Sequence, residues 1–281
     1  MFNQDIKSSV NIPVSKIHPF EGNPYKVLDN DEMNTLICSI QEQGILTPII
    51  IRPIENTDEY EVISGHRRLH ATVKAGMKEV PAFIYAVTRD EAAIMLVDSN
   101  LHREHILPSE KAFAYKLKLE AMKHQGITCG QVGHKSRDEI SDTDSGRQIQ
   151  RYIRLTYLIP ELLDLVDEGK IALTPAVELS YLTDEEQYAL LSAIEVEDRT
   201  PSLSQAVRFK KLSQTGNLSD DDIETIMQED KANQKPMFKV SMEKLQEIAP
   251  RVKDKDFEDF VLKACEHYYR YLLRQRDRDS R

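Results

Sequence analysis

Gly65, His66, Arg67 and Arg68 stand in a row between a run rich in β-branched residues and a run with helical spacing. A glycine that ends a strand and opens a helix leaves backbone N–H groups at the helix's partial positive end, where an anion can sit. Two guanidinium groups beside it add donors suited to phosphate. The row is therefore a candidate phosphate site, although on local sequence alone a solvated basic turn is the better account. A second polar cluster is "DSNLHREHILPSEKA", residues 98–112, where Asn100, Arg103 and Glu104 leave one helix just before the next begins. His66 and His70 are spaced i, i+4, and His102 and His105 i, i+3. Such pairs can hold a transition metal, but no third ligand is fixed by spacing, so solvated or phosphate-facing histidines are the better reading.

The third constellation is "SGRQIQRYIRLTYL", residues 145–158. At about 100° per residue, Arg147, Gln150, Arg151 and Arg154 fall on one helical stripe and Ile149, Tyr152, Ile153 and Thr156 on the opposite one. Upstream, "KSRDEIS" is a short helix candidate and "DTD" a turn. A short helix, a turn and a Ser-capped helix with an Arg/Gln face make a helix-turn-helix pattern, whose second helix reaches base edges in the major groove. Arg and Gln have bidentate options to guanine and adenine. A merely solvated face mixes acids with bases, and this stripe holds no acid. The expected DNA-contacting residues are Ser145, Arg147, Gln148, Gln150, Arg151 and Arg154.

Alternating elements must position the first two clusters. Met33, Leu36, Ile37 and Ile40 predict a helix over residues 29–44, capped by Asp29 or Asn30 and stopped by Gly44. "TPIIIRPI", "YEVISG" and "VPAFIYAV" read as strands, with "ENTD" as the turn between the first two. A helix from about His66 ends at Gly76, and Thr88 with Glu91 forms a capping-box pattern for a helix to about Asn100. Beyond Pro108 the strand signals nearly vanish. Helix starts are expected at Ser109, Pro160, Thr174-Pro175, Thr183, Thr200-Pro201 and Ser219, with stops at Gly169 and Gly216. The expected fold class is α+β: a small mixed α/β domain, an all-helical helix-turn-helix domain and a C-terminal helical segment. The divisions are a tail at 1–11, domains at 12–107 and 108–229, a linker at 230–236 and a segment at 237–281. In that last segment Phe257, Phe260, Val261, Ala264, His267, Tyr268 and Tyr271 share a helical face, which predicts a homodimer.

The 281-residue chain carries a net charge of −10, which gives no general attraction to nucleic acid, so basic residues must act locally. Residues 184–198 and 217–230 are rich in Asp and Glu and hold no Lys or Arg, so those faces are expected to point away from DNA. The three cysteines are far apart and form no CxxC, which argues against a disulfide framework or a cysteine zinc site. No leader pattern or membrane-length apolar run occurs, so a soluble cytoplasmic protein without membrane contact is expected.

The stretch from "TPIIIRPI" to "VPAFI", then "DSNLHREHILPSEKAFAYKLK", then the helix-turn-helix, resembles the ParB family of chromosome and plasmid partition proteins over about residues 12–215. The resemblance implies a nucleotide-binding fold shared with sulfiredoxin, CTP and magnesium as cofactors, and a dimeric clamp on double-stranded DNA. Its glycine-acid-arginine-arginine motif falls on Gly65, His66, Arg67 and Arg68, and its Glu-Asn-x-x-Arg motif on Ser99 to Arg103. Asn100 would then help hold magnesium, Arg103 would hold a phosphate, and Glu104 adjoins them. The cytidine-side segment falls on residues 18–26. Histidine at 66 and serine at 99 replace the family's acids, which predicts slow CTP hydrolysis at most, with His66 the remaining base. The arginine usual near position 25 is replaced by Tyr25 beside Lys26. The turn "ISDTDSGR" is shortened. A ParA-type ATPase is an expected partner, although residues 1–11 hold one Lys and no Arg and show no basic peptide of the stimulating kind. Competing classes are a helix-turn-helix transcriptional regulator without nucleotide switching, a nuclease and an enzyme of the sulfiredoxin type. The last would need a cysteine beside the phosphate loop, where His66 stands.

Overall fold

The computed structural model describes residues 8–103, 105–125, 144–229 and 257–279, with residues 246, 248, 249 and 252. Residues 1–229 form one compact unit and 230–281 another.

The N-terminal part is a five-stranded mixed sheet in the order β1-β5-β3-β4-β2. Its strands are β1 (Val10–Pro13), β2 (Ile17–His18), β3 (Ile49–Pro53), β4 (Tyr60–Ser64) and β5 (Glu79–Ile84). β3 and β4 form an antiparallel hairpin, with Asn56 at positive φ in the expected turn. β3 runs parallel to β5, and α2 (His66–Lys74) lies between β4 and β5 in the chain. Sequence patterning shows three of these strands. It misses β1 and β2 because they are short sheet edges with one buried residue each, Ile12 and Ile17, too little to set an alternation. Val10 and Asn11 thus belong to the sheet and not to the expected tail.

One side of the sheet buries Ile49, Ile51, Val62 and Leu69, and α1 (Asp31–Gln43) packs on α2 through Met33, Ile40 and Ala71. Another core joins Phe20, Tyr25 and Ile63 to α3 (Arg89–Leu101) and α4 (Pro108–His124) through Leu96, Val97 and Ala114. Asn30 caps α1 and Gly44 ends it, while Thr88 and Glu91 close the expected capping box on α3. The start of α4 differs from expectation. Pro108, with its φ already set, takes the first helical position, and Ser109 turns its hydroxyl to Asp167.

The described helices that follow are α5 (Gly146–Arg154), α6 (Pro160–Asp167), α7 (Leu173–Leu179), α8 (Asp184–Glu197), α9 (Leu203–Gln214) and α10 (Asp220–Gln228). α9 is capped by Ser202 and not by Thr200-Pro201, because Gln205 lies three residues on and closes a capping box. One core of Leu155, Leu162, Leu179, Leu190 and Phe209 holds these helices and includes Ala112 of α4. α4 also buries Tyr115 and Met122 against Ile149 of α5, so this one helix packs on both the sheet domain and the basic helix. In the second unit, α11 (Phe257–Asp279) pairs Phe257 with Phe260 and Tyr268 with Tyr271 along one face. The linker expected at 230–236 and the helix candidate "KSRDEIS" lie outside the described residues.

Candidate nucleotide pocket and nucleic-acid face

Gly65 is the pivot of the first site. Its φ of +103° lies in the region glycine favours, and a Cβ there would come within 2.7 Å of Ile49 Cγ2. The strand can turn into α2 this tightly because position 65 has no side chain. The turn places Gly65, His66, Arg67 and Arg68 along a cavity of about 250 Å³, bordered also by Asn100 and Arg103 from the end of α3. Two clusters about 35 residues apart in sequence therefore meet at one cavity. Glu104 lies outside the described residues.

The remaining wall includes Asn23, Tyr25 and Lys26 of the loop after β2, inside the segment 18–26 that the family resemblance implied, together with Val27, Leu36 of α1 and Ser64, which neither spacing nor resemblance marked. Asn23 closes this loop on itself, its side chain accepting from the Tyr25 N–H at 3.1 Å and donating to the Tyr25 carbonyl at 3.2 Å. An Asx turn followed by Pro24 was the available signal for the loop; Leu36 carried none, since its spacing reads as plain core.

Each basic group already has a protein neighbour. Arg68 donates to the carbonyls of Thr47 and Pro48, and burial lowers its pKa from the usual value. Arg67 pairs with Glu32 at 3.0 Å. Arg103 lies over the Tyr25 ring, 5.7 Å from its centroid. The Tyr25 hydroxyl is buried, which raises its pKa, and it reaches the Val97 carbonyl. Asn100, which borders the cavity, donates its amide hydrogens to the Leu96 carbonyl and to Ser99 Oγ, and its side-chain oxygen is a hard donor.

His66 sits deeper. Its Nε2 accepts the Phe20 N–H at 3.3 Å, and its pKa is lowered to about 4, first by burial and then by the Arg103 charge, against an opposing pull from Glu61. At neutral pH it is therefore an uncharged ring whose Nε2 lone pair is already engaged. His70 bonds Asp29 at 2.9 Å. Among the described residues no group of three or more His, Cys, Asp or Glu is arranged to hold a metal.

The second site is α5. Ser145 accepts from the Gln148 N–H and caps it. Tyr115 and Lys111 of α4 hold Asp144, just before the cap, at 2.5 and 3.2 Å. Ile149 is buried, while Arg147 is exposed and Gln148, Gln150 and Arg151 are half-buried. Ser145, Arg147, Gln148 and Arg151 face a groove with Thr174 and Glu178 of α7. Arg151 donates to Gln148 and, at 2.6 Å, to Thr174. Arg154 departs from the stripe in its contacts: its guanidinium bonds Ser180, beyond the end of α7.

Together these elements define a class: a small α/β domain with an arginine-lined cavity, joined to a helical unit that offers a capped basic helix. Residues 3–101 match the model of the ParB N-terminal domain, and this part of the chain belongs to that domain family. It is 33% identical over 178 residues to the chromosome-partitioning protein Spo0J of Thermus thermophilus, covering 63% of this chain and 62% of that protein. It is 30% identical over 183 residues to a nucleoid occlusion protein of Listeria monocytogenes, covering 65% and 61%. The chain spans about three-fifths of the length of these curated relatives. Among solved structures it is similar to a C-terminally truncated ParB from Caulobacter crescentus complexed to the centromeric parS site, at 20% identity over 78% of this chain and 98% of that one, with a TM-score of 0.42. It is similar also to a C-terminally truncated ParB from the same organism complexed with CTP-γ-S, at 23% identity over 67% and 99%, with a TM-score of 0.33. No helix among the described residues is long and apolar enough to cross a membrane.

Proposed function

We propose that this chain is a site-specific double-stranded DNA-binding protein of the partition type whose N-terminal domain binds CTP and which acts as a dimeric, CTP-dependent clamp. The observation that carries this is the single cavity shared by Gly65, Arg67, Arg68, Asn100 and Arg103 in a domain of the ParB N-terminal family. The names of the two relatives, chromosome partitioning and nucleoid occlusion, support a role on chromosomal DNA.

In this account the triphosphate exchanges with the partners that now hold the arginines. Arg68 leaves or shares the Thr47 and Pro48 carbonyls, and Arg67 leaves Glu32. Both are half-exposed ties that a multiply charged anion outcompetes. The oxygen of Asn100 fits a hydrated magnesium ion, which neutralises phosphate charge when bound. His66 holds Phe20, and thereby the loop on the nucleotide's other side, as a neutral acceptor. With Nε2 so engaged and no family acid at 66 or 99, hydrolysis is slow or absent. Ser145, Arg147, Gln148, Gln150 and Arg151 form the DNA face, as the second helix of a helix-turn-helix. The exposed Phe260, Tyr268 and Tyr271 of α11 are the dimerisation surface. A ParA-type ATPase remains a proposed partner on the resemblance alone.

The test is calorimetry of CTP, ATP and GTP with magnesium, for the full chain and for Arg68→Ala, alongside phosphate release. Selective CTP binding, lost in Arg68→Ala, with little phosphate released, is the expected result. The ties on Arg67 and Arg68 favour one second reading, a helix-turn-helix regulator without a nucleotide switch. Absence of binding by any triphosphate would make that reading the better one.

A further inference from the structure

Sequence spacing puts Arg154 on the same stripe as Arg147, Gln150 and Arg151, yet its surroundings are different. Its Nε donates to Ser180 Oγ at 3.1 Å and its Nη2 to the Ser180 carbonyl at 2.8 Å. Its guanidinium also lies 4.5 Å from the Tyr157 ring centroid and 3.9 Å from that of Tyr181. Lys210 of α9 stands 3.7 Å from the Tyr181 ring and bonds Glu178 at 2.8 Å. A guanidinium that donates in its plane and stacks on aromatic rings is fixed in orientation as an ammonium is not. Ser180 is itself buried and tied to Val177, so Arg154 grips a settled point.

One turn earlier on α5, Arg151 donates to Thr174 in the first turn of α7. Arg151 makes that one bond to α7 and otherwise faces the groove, whereas Arg154 makes two to Ser180 and lies over two rings. We infer that Arg154 is a positioning residue, not a DNA contact: by clamping Ser180, Tyr157 and Tyr181 it fixes α7 against α5 and so sets the pose in which Arg147, Gln150 and Arg151 meet base edges. The inference rests on the proposed DNA-binding role. It separates two kinds of arginine on one stripe, those that neutralise phosphate or read bases and one that holds the reader still. A phosphate contact adds to the salt dependence of binding, whereas a positioning contact alters discrimination between sequences and leaves the counterion count alone.

The experiment uses duplexes that the full chain enriches from a random-sequence pool, against shuffled duplexes of the same composition, measured across a salt series. Arg154→Lys, which keeps the charge but not the fork or the stack, should lower the preference for the enriched duplex by roughly tenfold. Its affinity for shuffled duplex and its salt slope should match the wild type. Tyr181→Leu, which removes a ring and no charge, should do the same, and the double variant should be no worse than either single one, since both break one clamp. Should Arg154→Lys unfold, as a thermal melt would reveal, Tyr181→Leu alone carries the expectation. Wild-type preference in Arg154→Lys, together with a salt slope shallower by about one counterion in Arg154→Ala, would make Arg154 a phosphate contact and overturn the inference. Losses that multiply in the double variant would overturn it too. A wild-type chain that enriches no duplex would defeat the DNA reading itself and the inference with it.

Discussion

The Lys26 ammonium lies 3.6 Å from the Asp167 carboxylate. Lys26 belongs to the loop that walls the arginine-lined cavity, and Asp167 ends α6 in the helical part. The same carboxylate accepts the Ser109 N–H at 2.9 Å and the Ser109 hydroxyl at 2.5 Å, while the Lys26 N–H is held at 2.9 Å by Glu110. Cavity wall, start of α4 and end of α6 therefore meet at one acidic junction. Asp167→Ala leaves the Ser109 N–H without its acceptor and should cost about 1–3 kcal/mol in urea unfolding. An unchanged urea midpoint would show that the junction adds nothing.

Gly65 should resist substitution more than its place on a loop implies. Gly65→Ala must strain the backbone at φ +103° or push Ile49, which is fully buried. A loss of about 1–3 kcal/mol in thermal or urea unfolding is expected, with CTP affinity falling beyond that. Ala at Gly22, where φ is also positive but nothing lies within 4 Å, serves as the control for strain without a clash.

Protonation of His66 should make the fold sensitive to mild acid. Its folded pKa of about 4 lies below the ordinary 6.5, so the unfolded chain binds the extra proton first. The contribution is complete above pH 6.5 and is lost as the pH falls from there towards 4, up to about 3 kcal/mol in all. Urea midpoints measured across that window should fall for the wild type. His66→Asn, which has no proton to gain, should show a flatter profile.

Arg147 is exposed near the start of α5, and Arg151 faces the groove with Thr174. Arg151→Ala should cost about 1–3 kcal/mol of specific binding if it forks onto a base, and Arg147→Ala should at least reduce the salt slope. Equilibrium binding across a salt series checks both. Unchanged affinity and slope in the two variants would make this helix face ordinary solvated surface.

Removal of α11 should abolish the proposed self-association. Tyr268 and Tyr269 are 61% and 64% exposed, and Phe260 and Leu262 are uncovered on the same helix. Sedimentation of a chain ending near residue 235 should report a monomer where the full chain reports a dimer. A dimer in both would place self-association elsewhere.

Much of this was legible in local chemistry. Thr88 with Glu91, Thr183 with Glu186 and Ser219 announce their helices because a cap needs only a short stretch of chain. The joining of Gly65 to Asn100 and Arg103 was readable from the family resemblance, not from spacing. What stayed hidden depends on partners distant in the chain. Arg154 has the right angle for the stripe of Arg147, Gln150 and Arg151, and only the fold of α7 turns it to Ser180. Lys26 looks like any loop lysine until α6 brings Asp164 and Asp167 beside it. The buried Arg52–Glu61 pair, at 2.8 Å, follows from cross-strand register, and Glu61 also accepts the Glu21 N–H to hold the loop beside the cavity.

The most direct test of the whole account is retention on DNA whose ends are blocked or free. The full chain is loaded, with CTP and magnesium, on a duplex carrying its enriched site, and then washed with high salt. A CTP-dependent clamp predicts that protein stays on DNA blocked at both ends, leaves DNA with one open end, and is lost from both when CTP is omitted or Arg68→Ala is used. Retention that ignores CTP, or that is the same for open and blocked ends, would contradict it.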